Sequence, residues 1–231
     1  MFPLFYDPTF ILLIPAFLLA LWAQILVSST FSKYSKYRSI TGLNGYTLAR
    51  HLLSSKGIYD VDIEMISGTL SDHYDPRKKV VRLSQSTYSS DSVAALGVVA
   101  HEIGHVIQHA ENYFPLVIRN AMVPIASVGS SLAWIIFLMG LLFLSPFMMR
   151  LGIVLFSLAV LFTLLTLPVE IDASNRALKL LRSTVAMPEE ELKAVKKVLT
   201  AAALTYVAAT AIAILQLLRM LILAGIFGER R

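Results

Sequence analysis

Residues 151–177 read LGIVLFSLAVLFTLLTLPVEIDASNRA. Leu151–Val169 carries no charge over 19 residues, and the next eight bring in Glu170, Asp172 and Arg176. At helical rise, such a run covers about 30 Å, the thickness of bilayer hydrocarbon. The stretch therefore predicts a membrane helix that runs directly into a polar surface. Three other stretches are long enough to do the same: Phe10–Val27, Ala121–Leu144 and Val198–Leu218. No Lys or Arg precedes the first, and its 18 residues exceed the apolar core of a secretory signal, so it reads as an uncleaved anchor. The expected fold is a mainly α membrane protein with about four transmembrane helices. Composition agrees, with 56% hydrophobic residues, 15% charged residues and a mean hydropathy of +0.69. Soluble domains carry about 25% charge, which these residues could not supply to coat a globule.

Charge sets the expected orientation. Of the 20 Lys and Arg, ten lie between the first and second spans and six between the third and fourth. Ser145-Pro146, with Arg150 close behind, marks a tight hairpin between spans two and three. Four spans put both basic loops on one face, which the positive-inside rule makes cytoplasmic. Arg230 and Arg231 at the far end count mildly against a fully crossing fourth helix. The net charge of +5 is thus a membrane signature, and no nucleic-acid partner is expected. Cysteine is absent, which excludes disulfides, thiolate ligands and Cys nucleophiles. The expected organisation is an anchor at 1–29, a cytoplasmic-face domain at 30–120 and a transmembrane hairpin at 121–169. A cytoplasmic-face helical segment at 170–197 and a C-terminal transmembrane helix at 198–231 complete it.

The loop at 28–120 is large enough to fold by itself. Leu48, Ala49, Leu52 and Leu53 recur at helical spacing, with Gly57 as a stop. Val61–Met65 alternates with period two, and Asp75-Pro76-Arg77-Lys78 reads as a turn before Val80–Leu83. A short antiparallel sheet is expected. Ser89-Ser90-Asp91 then caps a helix over about 92–110. Glu189-Glu190-Glu191, followed by Lys193, Lys196 and Lys197, reads as the solvated start of the last helix.

That 92–110 helix carries His101-Glu102-Ile103-Gly104-His105. Histidines at i and i+4 stack on one helix face, so both imidazoles reach a single Zn²⁺. The intervening Glu102 is placed to take a proton from an attacking water. With five His and eight Glu in the chain, roughly 0.004 such matches arise by chance. A catalytic zinc needs a third protein ligand. The pattern with a third His six residues after the second fails, because Glu111 stands there. His109 rises about 12 Å from His101, too far to share the ion, and reads as a supporting or surface residue. Most other acids fall on strands or helix starts. Glu170 remains, because a hairpin of spans two and three returns the chain to the face of His101; Asp172 is the reserve. Pro168 is expected to kink the helix and aim Glu170 at the domain.

His101-Glu102-Ile103-Gly104-His105-Val106-Ile107-Gln108, with Leu167-Pro168-Val169-Glu170 and Ala173-Ser174-Asn175-Arg176-Ala177, resembles the YugP-like membrane zinc metallopeptidases. The likeness covers nearly the whole chain, including Asp72-His73-Tyr74-Asp75-Pro76-Arg77. It implies a small α+β gluzincin-like protease domain, one zinc ion, His101, His105 and Glu170 as ligands, and Glu102 as general base. In the broader gluzincin pattern an Asp four residues after the ligand Glu orients a ligand His. Ser174 holds that position here, leaving Asp172 and Asn175 as alternatives for the role.

The implied activity is hydrolysis of a peptide bond, in a peptide or membrane-protein substrate, at the cytoplasmic membrane surface. Tyr74, His73 and Arg176 are candidates, by chemistry alone, to steady an oxyanion. The strand at Val80–Ser84 is a candidate to pair with an extended substrate. Two rival readings are an intramembrane-cleaving zinc protease and a non-catalytic zinc-dependent scaffold. Only eight apolar residues (Val93–Ala100) precede His101, too few to bury the motif at mid-bilayer. Glu102, which a purely structural site does not need, argues against the scaffold.

Overall fold

A computed structural model describes residues 8–225, with the side chains at 125, 127, 128 and 130 left aside. The expected segments at 1–29 and 198–231 therefore extend beyond the described residues, and Arg230 and Arg231 lie outside them. A 3₁₀ turn at Pro8–Leu13 leads into α1 (Ile14–Tyr34). There follow α2 (Gly45–Ser55), β1 (Asp62–Ile66), β2 (His73–Asp75), β3 (Val80–Ser84) and α3 (Gln85–Tyr88). Four long helices complete the chain: α4 (Val93–Ala110), α5 (Phe114–Leu142), α6 (Pro146–Ser183) and α7 (Glu189–Leu223).

Three helical stretches among the described residues are long and apolar enough to cross a membrane: Pro8–Tyr34, Pro146–Ser183 and Glu189–Leu223. The expected span at Ala121–Leu144 falls in α5, where the described residues give a shorter apolar stretch, Ser131–Leu142. Pro168 lies inside α6, and the helix runs through it unbroken.

The chain divides into two compact units. One holds residues 117–167 with the described parts of 1–23 and 205–231. In it, Ser145 precedes Pro146 at the first position of α6, where a missing N–H costs nothing. The Ser145 amide donates to Gly140 O at 2.8 Å, closing the expected hairpin. Glycine permits close contact: a Cβ on Gly140 would stand 2.6 Å from Met149 N, and one on Gly152 2.8 Å from Ala133 O. Phe137, Ile153 and Met220 are buried together there.

The other unit comprises Gln24–Leu116 and Pro168–Leu204. Its core joins Leu48 and Leu52 of α2, Val81 and Leu83 of β3, Leu96, Val99 and Ile103 of α4, Leu181 of α6 and Val195 of α7. Asn44 caps α2, accepting from Thr47 N at 2.9 Å while Thr47 Oγ1 accepts from Asn44 N. Ser92 caps α4, accepting from Ala95 N at 3.2 Å. The capping oxygen satisfies an amide that the helix itself leaves unpaired.

The sheet corrects the antiparallel expectation. Its order is β1-β3-β2, with β3 parallel to β1 and antiparallel to β2. The chain runs up, down and up again, and β3, whose Val80, Val81, Leu83 and Ser84 are all buried, takes the central place. A central third strand must run parallel to the first. This also removes Val80–Ser84 as a site for strand addition: β1 pairs with all five of its residues and β2 with Val80–Arg82. Asp72 Oδ1 accepts from Ser84 N at 2.8 Å, so the free end of that edge is engaged as well.

At the acidic start of α7, Glu189 and Glu190 are exposed as expected, and Glu191 is half-buried. Glu191 accepts from Ser39 Oγ at 2.5 Å and from Ile40 N at 3.0 Å, tying the chain after α1 to α7. Glu189 pairs with Arg182 and Glu190 with Lys193.

Candidate metal centre

Within the second unit, α4 and the polar end of α6 approach closely at Gly104. A Cβ there would stand 2.6 Å from Ala173 O and 3.2 Å from Ala173 Cα. Only glycine lets the two backbones come so near, and the contact lies one residue before His105 and three after Glu170. The sequence placed the two imidazoles on one face of α4, and this contact delivers the carboxylate to them.

His101 Nε2 lies 3.2 Å and His105 Nε2 3.6 Å from the same oxygen, Glu170 Oε2. The three candidate ligand atoms all fall within 4.8 Å of one another. Two tetrahedral zinc ligands at bond lengths of about 2.0–2.2 Å stand roughly 3.3–3.6 Å apart, close to the two His–Glu170 separations. The donor types, two imidazole nitrogens and a carboxylate, fit as well. The two rings sit edge to face, with centroids 4.8 Å apart and planes at 84°. Glu170 is 3% exposed, so its charge has little water to answer it.

The far side of each imidazole decides what the near side requires. Gln108, fully buried, donates through Nε2 to Val169 O and to Asp172 Oδ2, both at 2.8 Å. Those two acceptors fix the amide's orientation, so its Oε1 faces His105 Nδ1 at 3.0 Å and accepts from it. With Nδ1 carrying a proton, Nε2 of a neutral His105 presents a lone pair to the Glu170 carboxylate. A proton or a metal cation must stand between them. Burial alone would lower the proton affinity of His105, but the hydrogen bond its protonated form donates to Glu170 and the charges of Glu102 and Glu170 outweigh it and raise it. The field that favours a proton there favours a divalent cation more strongly.

Ser174 Oγ lies 3.2 Å from His101 Nδ1. The two far-side contacts thus come from Ser174 and Gln108, neither of which the sequence singled out. The expected alternatives separate: Asp172 acts one step back by holding Gln108, and Asn175 is exposed with no hydrogen bond at the site. Gln108 had a signal, as a long polar side chain one turn after His105 on the helix face that carries both histidines. Behind Asp172, Arg176 Nε donates to Asp172 Oδ2 and its Nη1 to Glu111 Oε2, both at 2.5 Å, while the guanidinium covers the Tyr113 ring.

Glu102 follows His101 on α4, is 7% exposed, and makes no hydrogen bond with any described residue. The three oxyanion candidates are engaged elsewhere. Tyr74 Oη bonds to His109 Nδ1 at 2.8 Å, which gives His109 a supporting role. Burial, with the Asp60 and Asp75 charges, pushes the Tyr74 phenol up to about 12. His73 Nδ1 lies 2.9 Å from Ser71 O, and its Nε2 3.4 Å from Arg82 Nη1. Arg176 is held by Asp172 and Glu111.

Comparison with known proteins follows the same line. The family described as "Putative neutral zinc metallopeptidase" matches residues 9–225. The chain is also similar to the protein named "Putative membrane protease YugP" from Bacillus subtilis (strain 168). The two are 46% identical over 212 residues, covering 92% of this chain and 94% of that protein. No solved structure matches.

Proposed function

The chain belongs to the family described as "Putative neutral zinc metallopeptidase", and we propose that it is a zinc-dependent endopeptidase acting at the cytoplasmic surface of a membrane. The observation that carries the reading is the meeting of His101 Nε2, His105 Nε2 and Glu170 Oε2 beside a buried, unpartnered Glu102. His101, His105 and Glu170 are the ligands in this reading, and Glu102 is the general base. His101, His105 and Glu170 would hold a zinc ion, which would supply Lewis acidity for the scissile carbonyl and for an attacking water. Glu102 takes the proton of the attacking water and passes it to the leaving amine. Ser174 and Gln108 hold the imidazoles so that both Nε2 atoms stay directed at the ion. Glu170 supplies the negative charge that offsets part of the metal's.

Four membrane crossings, with α5 as the fourth beside the three long apolar helices, put the basic loops at 28–120 and 170–197 on the cytoplasmic side. The substrate is then a peptide or membrane protein whose scissile bond reaches that surface.

The test is casein hydrolysis by the purified full chain in detergent, for wild type and Glu102→Gln. The reading expects chelator-sensitive cleavage by the wild type, restored by zinc, and loss of about 10²–10⁴-fold in the variant. Metal bound with no cleavage by either protein would favour a scaffold. Cleavage mapped inside membrane spans would favour the intramembrane reading.

A further inference from the structure

Away from the metal cluster, the unit of Gln24–Leu116 and Pro168–Leu204 contains a groove of about 980 Å³. It runs between the C-terminal end of α1 with the residues just after it and the first half of α7. Both walls change character along their length. The apolar run of α1 ends at Val27, and Lys33 and Arg38 follow in the wall. On α7, Lys193, Lys196 and Lys197 come before the apolar run that begins at Val198. One end of the groove is therefore basic and the other apolar, walled by Leu26 and Ala201.

The charge at the basic end is largely unanswered. Its two acids are occupied: Glu190 accepts from Lys193 Nζ at 2.8 Å, and Glu191 is bound to Ser39 and Ile40. Arg38 pairs with Asp91 at 2.9 Å. Lys33, Lys196 and Lys197 are exposed and form no ion pair with any described residue. Positive charge near a membrane is ordinary by itself. Here three exposed ammonium groups, with Lys33 5.4 Å from the Tyr34 ring and none in a salt bridge with a described residue, border one cavity whose other end is apolar, and its volume is that of a small-molecule site.

We propose that this groove binds one anionic phospholipid. Its phosphate lies among Lys33, Lys196 and Lys197, and an acyl chain lies along Leu26 and Ala201. The proposal rests on these helices lying in a bilayer and is independent of the zinc reading.

The test uses the full zinc-loaded chain in detergent, titrated with phosphatidylglycerol, phosphatidylcholine or inorganic phosphate. Native mass spectrometry counts bound lipid, and thermal unfolding follows stabilisation. The expected result is one saturable phosphatidylglycerol per chain, clear preference over phosphatidylcholine, and no stabilisation by inorganic phosphate. Lys33→Gln/Lys196→Gln/Lys197→Gln should weaken phosphatidylglycerol binding on the order of a hundred-fold. A control removing three charges outside the groove, Lys56→Gln/Arg77→Gln/Lys78→Gln, should leave it unchanged. Equal binding by wild type and the groove variant, equal loss in the control, or no preference between lipids would overturn the proposal. Stabilisation by inorganic phosphate matching that by lipid would show an anion site, and would overturn it too.

Discussion

Replacing Gln108 with Leu removes the side chain that ties the far side of His105, at Nδ1, to α6. A leucine, one heavy atom smaller, deletes three hydrogen bonds, of 3.0, 2.8 and 2.8 Å, to His105 Nδ1, Val169 O and Asp172 Oδ2. At about 1 kcal/mol net for each, the loss is roughly 3 kcal/mol, partly offset by burying an apolar group. The His105 N–H is then left without an acceptor in the interior, while Asp172 keeps Arg176. Loss of a supporting bond to a ligand His typically costs 10–100-fold in metal affinity. Gln108→Leu should therefore bind zinc about 10–100-fold more weakly in chelator competition and melt several degrees lower. Gln108→Glu separates the two effects. It keeps an acceptor for His105 Nδ1 but sets a carboxylate against Asp172, so it should lose stability while holding zinc better than the leucine variant. Wild-type zinc affinity in a folded Gln108→Leu protein would refute the assignment, because His105 would then need no such support.

Other outcomes follow from the same geometry. Gly104→Ala places a Cβ 2.6 Å from Ala173 O; it should cost about 1–3 kcal/mol in unfolding experiments and lower zinc affinity by spreading α4 from α6. Ser174→Ala should weaken zinc binding less than Gln108→Leu, since one longer contact of 3.2 Å is lost; equal effects in chelator titration would contradict that ordering. Tyr74, pushed up to about 12, should show its transition near that pH in the ultraviolet difference spectrum of wild type against Tyr74→Phe. Because its folded value is raised above about 10, its contribution to stability is complete below pH 10 and is lost as pH rises through about 12. A Tyr74 transition near pH 10 would show that the phenol is not buried against His109.

The sequence disclosed what depends on periodicity and concealed what depends on pairing. The i and i+4 histidines and the apolar helix into Glu170 are local patterns, legible in any sequence that has them, whereas the cap expected at Ser89-Ser90-Asp91 falls one residue later, on Ser92. Sheet direction was not, because His73–Asp75 is three residues long and nothing in the order of β1, β2 and β3 says which strand takes the centre. Pro168 lies inside a helix that continues through it, and the close contact at Gly104 sets the end of α6 that carries Glu170 against α4. The supporting residues were obscured for a related reason. Ser174 stands where the broader pattern has an Asp, and a serine there carries no charge to mark it. Helical geometry puts Ser174, four residues after Glu170, on the face turned to His101, while Asn175 points away.

The most direct measurement is zinc content and affinity in the purified full chain, for wild type and Glu170→Ala, by elemental analysis with chelator competition. One zinc per chain is expected in the wild type. In the variant, loss of the buried carboxylate should weaken binding by orders of magnitude, with the fold retained by circular dichroism. Unchanged stoichiometry and affinity in a folded Glu170→Ala protein would contradict a metal shared between α4 and α6.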